Sequence, residues 1–249
     1  MTLPASGMLP ASPALSAPIH RLKRNARLLS RREGIPLHAA LDRVATAEGF
    51  EGWSLLVARA EAASPAARLY ARLTPGDLVL IGARPRQGKT LMGLALAAEA
   101  MKAGHRSLFF TLEYTAREIA DRLRAIGAEA MFSSDLFEHD GSDAIRADHI
   151  AAALATAPPG TLAVIDYLQL LDQKRANPDL MTQVRTLRAF ARERGLILIF
   201  LSQIDRSYDP ATKPLPDLED IRLPNPLDLA LFDKACFLHQ GEIRIQTLR

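Results

Sequence analysis

Cysteine is nearly missing from this sequence: Cys236 is the only one in 249 residues. A single thiol excludes an intrachain disulfide and suits a reducing cytoplasm, which is the expected location. The residue itself reads as a small apolar side chain in a late strand. Long apolar runs are missing too. None approaches the ~18–20 residues of a spanning helix, so no membrane segment is expected. Charge of one sign is not in great excess. A net +3 and a pI near 9.2 lean basic, which permits nucleic-acid contact without demanding it. Residues 1–18 have four prolines and almost no charge, and they lack a basic start followed by an apolar core. They read as a disordered lead-in, not an export signal. What is present is 48% hydrophobic residues, ample for a core, with an ordinary 24% charged. The length suits one α/β domain with a small appendage, or two small domains.

Three zones follow along the chain: the tail at 1–18, a basic helical module at 19–72, and an α/β domain at 73–249. In the module a first helix carries Arg21, Lys23, Arg24, Arg27, Arg31 and Arg32 and stops near Gly34. Pro36 opens a second helix that Gly49 ends, and a third follows around Trp53. Leu22, Leu29, Leu37, Leu41, Val44, Phe50, Trp53 and Leu56 could share one small core. Trp53 falls in phase with Phe50 and Leu56, which favours packing over base stacking. From Gly76 the texture changes to strands at 77–82, 107–112, 161–166 and 196–202. Each is a nearly continuous apolar run, as expected for a parallel sheet covered on both faces. Helices are expected at about 90–103, 115–126, 143–155 and 180–194. Thr115 with Glu118 gives a capping box. A hairpin around Gln240-Gly241 closes the domain.

The chemistry gathers at the strand ends, where an open parallel sheet binds its ligands. Residues 76–90 run from an apolar strand through a loop to Gly88-Lys89-Thr90 and straight into a helix. That order cradles nucleotide phosphates, with loop N–H groups and the helix N-terminus aimed at the anion. The expected cradle is Ala83, Arg84, Pro85, Arg86, Gln87, Gly88, Lys89, Thr90 and Leu91. Lys89 would reach the β/γ-phosphates and the Thr90 hydroxyl would ligate Mg²⁺. The second strand ends at Glu113, the third at Asp166 and the fourth at Gln203. Taken singly, Glu113 could be a surface carboxylate and Gln203 a loop residue. Their coincidence at four strand ends carries the argument.

These segments resemble the ATPase domain of the bacterial replicative helicases of the DnaB type, within the RecA-like superfamily. The resemblance rests on Gly82 through Thr90, Phe110-Thr111-Leu112-Glu113, Val164 through Leu170, and Leu201 through Arg206, and it spans about Gly76 to Phe237. It implies a RecA-like P-loop NTPase fold with a mostly parallel central sheet flanked by helices. It also implies ATP and Mg²⁺ as cofactors, with Thr90 and Asp166 holding the metal. Glu113 would orient or deprotonate the attacking water, Lys89 would neutralise phosphate charge, and Gln203 would sense the γ-phosphate. Single-stranded DNA and a homo-oligomer, a hexamer in a motor, are the implied partners.

The pattern also breaks. The helical N-terminal domain of those helicases is replaced by the shorter basic module, and their C-terminal Lys-x-Arg-x-Gly segment has no counterpart. Arg206, Arg222 and Arg244 are the arginines that could stand in for it. Residues 172–178 and 206–216 sit where DNA-binding loops would fall, with Lys174, Arg175, Arg206 and Lys213 their basic residues. The basic helix reads either as a phosphate-contacting arm or as a solvated face of a small bundle. Two functions follow: a DNA-stimulated, helicase-like ATPase, or a nucleotide-switched regulatory protein with weak turnover. A small-molecule kinase fits less well, because it needs a lid and an acceptor pocket.

Overall fold

In each central strand the side chains alternate between two separate apolar cores. The computed structural model describes residues 15–17, 19–172, 177–223 and 225–248. Strand β1 (Leu78–Ala83) sends Leu78 and Leu80 to one core, and Val79, Ile81 and Ala83 to the other. Strands β2 (Ser107–Thr111), β4 (Leu162–Asp166) and β5 (Ile197–Gln203) divide their residues the same way. The period of two sends successive side chains to opposite faces, and both faces here are buried, so both phases must be apolar. This is the physical origin of the unbroken hydrophobic runs. Helices cover the two faces. On one, α4 (Pro65–Tyr70), α5 (Lys89–Lys102) and α6 (Ala116–Ala125) bury Leu69, Leu94, Leu96, Ile119 and Leu123. On the other, α7 (Ala147–Ala153) and α8 (Leu180–Arg194) bury Ile150, Leu180, Val184 and Leu187.

The sheet has seven strands in the order β3-β2-β4-β5-β1-β6-β7. Strands β3 (Phe137–Asp140) and β6 (Lys234–His239) are parallel to their inner neighbours. Only β7 (Glu242–Thr247) runs antiparallel, returning beside β6. The expected hairpin is present, and its turn has Gln240 and Gly241 at φ 49° and 85°. Two positive φ values in a two-residue turn are what the twist of a hairpin requires. Its first strand does more than close the domain, since β6 also lies against β1 and extends the main sheet.

Strand β3 was not expected. Phe-Glu-His-Asp is short and polar, and as an edge strand it buries only Phe137. Helix α7 is shorter than the 143–155 expected. Its start is set from outside, because the buried Gln183 accepts a hydrogen bond from the Ala147 N–H at 3.0 Å. The Gln183 amide also donates to the carbonyls of Leu171 and Pro178. The capping box of α6 forms as expected, with the Thr115 and Glu118 side chains each accepting from the other's N–H.

The chain divides into two units, one ending at Glu61 and one beginning at Ala62. The sequence put this boundary after residue 72. Helix α4 accounts for the difference, since Ala66 and Leu69 are buried in the core of the larger unit. The smaller unit contains α1 (Ile19–Glu33), α2 (Leu37–Ala47) and most of α3 (Trp53–Ala63). Leu22, Ala45 and Leu56 form its core, with Val44, Phe50, Trp53 and Val57 partly buried around them. Trp53 packs as expected. Leu37 does not, being 40% exposed at the first position of α2. The expected tail at 1–18 falls almost wholly outside the described residues. Among the described residues no helix is long and apolar enough to cross a membrane.

Candidate functional site

The loop after β1 turns through two residues of positive φ, Arg86 at 65° and Gly88 at 84°. Gly88 then caps α5, whose first turn begins at Lys89. The leading N–H groups of a helix have no intrahelical partner, so this end offers donors and a positive dipole to an anion. A Cβ at Gly88 would meet nothing within 4 Å. The glycine is therefore needed for its backbone angle, not to avoid a clash. Helix α5 lies close to the sheet. A Cβ on Gly93 would come within 2.9 Å of Val164 Cγ1 and 3.1 Å of Leu201 Cδ1.

Strand order brings Asp166 beside this helix start. The Lys89 ammonium donates to Asp166 Oδ1 at 3.0 Å, and the Thr90 hydroxyl donates to Oδ2 at 2.7 Å. Asp166 is fully buried and the Lys89 side chain is 11% exposed. Lys89 also lies over the Tyr167 ring, 4.8 Å from its centroid. Buried charges persist only when paired and hydrogen-bonded, and both carboxylate oxygens here are occupied.

Glu113 follows β2, whose Thr111 is paired in register with Asp166. Its N–H donates to Thr111 Oγ1 at 3.0 Å. Burial pushes the Glu113 carboxyl above the usual glutamate range. The Lys89 charge opposes that shift, the Asp166 charge adds to it, and the Arg122 charge opposes it. Arg122 itself stacks on Tyr114, with its guanidinium carbon 3.7 Å from the ring centroid. Glu113 therefore sits within electrostatic reach of the lysine and aspartate.

Gln203 ends β5, level with Ala83 of β1. Its carbonyl accepts from the Arg222 N–H at 2.8 Å, and Arg222 Nη1 lies 3.5 Å from its Oε1. Gln169, three residues beyond Asp166, donates to the Arg222 carbonyl at 2.8 Å and to Ser202 Oγ at 3.3 Å. A four-residue segment thus joins the buried aspartate to the strand end that carries Gln203. Tyr167, Gln169 and Arg122 were missed as site residues. The first two lie inside the motif string, but their contacts depend on neighbours far along the chain.

Within the expected cradle the residues behave differently. The Ala83 side chain is buried in the core and its carbonyl accepts from the Ile204 N–H, so the open part of the loop starts at Arg84. Pro85 and Arg86 are exposed. The Gln87 side chain is drawn sideways, accepting from the Gln240 N–H of the β6–β7 turn at 2.8 Å. Leu91 is 38% exposed on α5. Of the loops expected to meet DNA, residues 173–176, with Lys174 and Arg175, lie outside the described residues. In the other, Lys213 pairs with Asp217 at 2.6 Å and Asp220 at 2.7 Å, so its charge is neutralised within the chain.

The residues fit a hard cation beside phosphates. A hydroxyl and a carboxylate stand 2.7 Å apart, both oxygen donors. Among the described residues no group of three or more His, Cys, Asp or Glu could hold a metal. Any cation here must complete its shell with water and phosphate oxygens, which is how Mg²⁺ usually sits on nucleotides.

Residues 67–157 match the DnaB-like helicase C terminal domain. Among curated proteins, the chain is 28% identical over 200 residues to the replicative DNA helicase DnaB of Helicobacter pylori, covering 68% of this chain and 41% of that one. It is 26% identical over 183 residues to the DnaB of a Synechocystis strain, covering 60% of this chain and 21% of the other. The chain thus spans well under half the length of these relatives. Among solved structures it resembles a DnaB-like replicative helicase studied with primase, at TM-score 0.58 and 20% identity, over 89% of this chain and 66% of that one. A solved ATPase domain matches at TM-score 0.55 and 23% identity, over 68% of this chain and 71% of that one. The larger unit has the RecA-like fold.

Proposed function

We propose, from the kinship of its larger unit with the DnaB-like helicase C terminal domain, that this chain binds and hydrolyses ATP and acts on DNA. The observation that carries the reading is the convergence of Lys89 and Thr90 on the two oxygens of the buried Asp166. In this reading the phosphates lie at the start of α5, with Lys89 balancing their charge. Thr90 and Asp166 would hold Mg²⁺, which supplies charge neutralisation at the phosphoryl oxygens when bound. Glu113 accepts a proton from the attacking water. Its raised carboxyl suits that task, because a base works best when its affinity for protons approaches the working pH. Gln203 orients toward the γ-phosphate side and carries the change to Arg222, whose backbone it already holds. Positioning and charge stabilisation suffice for this reaction.

Two variants separate binding from chemistry. Lys89→Ala should abolish nucleotide binding in a calorimetric titration. It should also cost about 3 kcal/mol of stability, since it strands a buried carboxylate. Glu113→Gln should bind ATP normally and lose roughly 10²–10⁴ in turnover, as loss of a general base does. No heat from the wild-type protein with Mg²⁺ and ATP would overturn the nucleotide reading. A rate indifferent to single-stranded DNA would overturn the DNA part. The second reading, a nucleotide-switched regulatory protein with weak turnover, gains support from one observation. Lys213, in a loop placed to meet DNA, spends its charge on Asp217 and Asp220.

A further inference from the structure

The net positive charge of this chain resides in one place. The unit ending at Glu61 has eight Lys and Arg against five Asp and Glu, while the larger unit has 23 of each. Six of the eight cations belong to α1: Arg21, Lys23, Arg24, Arg27, Arg31 and Arg32, all exposed. Helical geometry gathers them on one side. Leu22 and Ala26 are buried with Leu29 half-buried, and the cations occupy the opposite arc. Lys23, Arg27 and Arg31 form a ladder with steps of about 6 Å, and the whole face runs for about 17 Å.

Among the described residues the acids of this unit take up one cation of that face, Arg32 at its far end. Glu33 pairs with Arg32 and with Arg43 of α2. Asp42 accepts from the Trp53 N–H, and Glu48 accepts from Ser16. They serve helix ends and neighbouring turns. A surface with six exposed cations, of which Glu33 takes up only Arg32, is a site for a polyanion.

We infer that the exposed face of α1 is a nucleic-acid contact that grips the sugar–phosphate backbone without reading sequence, independently of the nucleotide site. Six cations over ~17 Å match the length of about five nucleotides at 3.4 Å per step of one strand. Helix α1 has no Phe, Tyr or Trp, the usual stacking platforms, which favours contact with phosphates over bases. A membrane surface fits less well. Amphipathic helices that bind lipid insert an apolar face, and α1 exposes only Leu28 among its large apolar residues while Leu22 is buried in the core with Ala45 and Leu56.

The test uses the full chain without nucleotide, binding a short labelled single strand of mixed sequence across about 50 to 200 mM salt. Neutralising about five phosphates should give a log–log slope near −3.5 on single strands. The triple variant Arg24→Glu, Arg27→Glu, Arg31→Glu should lose affinity at least tenfold and flatten the slope by roughly 2 to 3. A milder variant, Lys23→Gln with Arg27→Gln, should lose about 1.4 of slope and guards against misfolding, with helix content checked by circular dichroism. Because the strand is bound without nucleotide, a failed ATP titration would leave this result intact, which separates this site from the ATPase reading. Unchanged affinity and slope in both α1 variants would overturn the inference. So would binding to phosphatidylserine vesicles without binding to the strand.

Discussion

At the residue scale the site depends on how Glu113 is tuned. Burial raises its carboxyl, so the acid limb of kcat/KM should lie above the ~4.3 of an ordinary glutamate. In the proposed mechanism the ionised form is the base, so activity should be present above that limb and lost as pH falls through it. Arg122 opposes the shift. Arg122→Ala removes a cation that favours the carboxylate, so the limb should move to higher pH in a pH–rate profile. A limb that stays put, or moves to lower pH, would remove Glu113 from the role of base. Cys236 behaves as its isolation in the sequence suggested. It is fully buried in β6, and burial pushes its thiol up to about 12, which leaves it unreactive.

At the element scale the proposed phosphate loop depends on how closely α5 meets the sheet. Gly93 makes that approach possible, with Val164 and Leu201 directly beneath it. Gly93→Ala should destabilise the protein by about 1–3 kcal/mol, as overpacking does. It should also weaken ATP affinity, because lifting α5 lifts Lys89 and Thr90 away from Asp166. Thermal denaturation and calorimetry measure both losses. A variant as stable as the wild type with unchanged affinity would show that the helix has room to spare. The same approach explains what could be read in advance. The four strand ends were visible because fully buried strands announce themselves as apolar runs, and a left-handed glycine before Lys-Thr marks the turn into the helix. Strand β3 was not visible, because an edge strand buries one side chain and is otherwise polar.

At the scale of the molecule the two units differ in charge and, by the readings above, in task. The proposed ATPase unit is electrically balanced, while the small unit carries the excess. If ATP hydrolysis drives a motor, copies of the chain should assemble. Light scattering should then show a species several chains in size when Mg²⁺ and a non-hydrolysable ATP analogue are present. A monomer both with and without the analogue would favour the nucleotide-switched reading. Arg222 bears on this point. It is tied to Gln203 within its own chain, which places it in cis beside the proposed γ-phosphate sensor.

The sequence by itself determined what is local and contiguous: the alternating α/β order, the Gly88 turn into α5, the capping box at Thr115, the basic helix and the closing hairpin. Each depends on residues within a few positions of one another, so spacing alone expresses it. The tertiary structure decided what depends on partners distant along the chain. It set the start of α7 through Gln183, drew α4 into the larger unit, neutralised Lys213 and joined Gln169 to Arg222. Those outcomes follow from which strands become neighbours, and that order is settled only when two faces of one sheet are buried together.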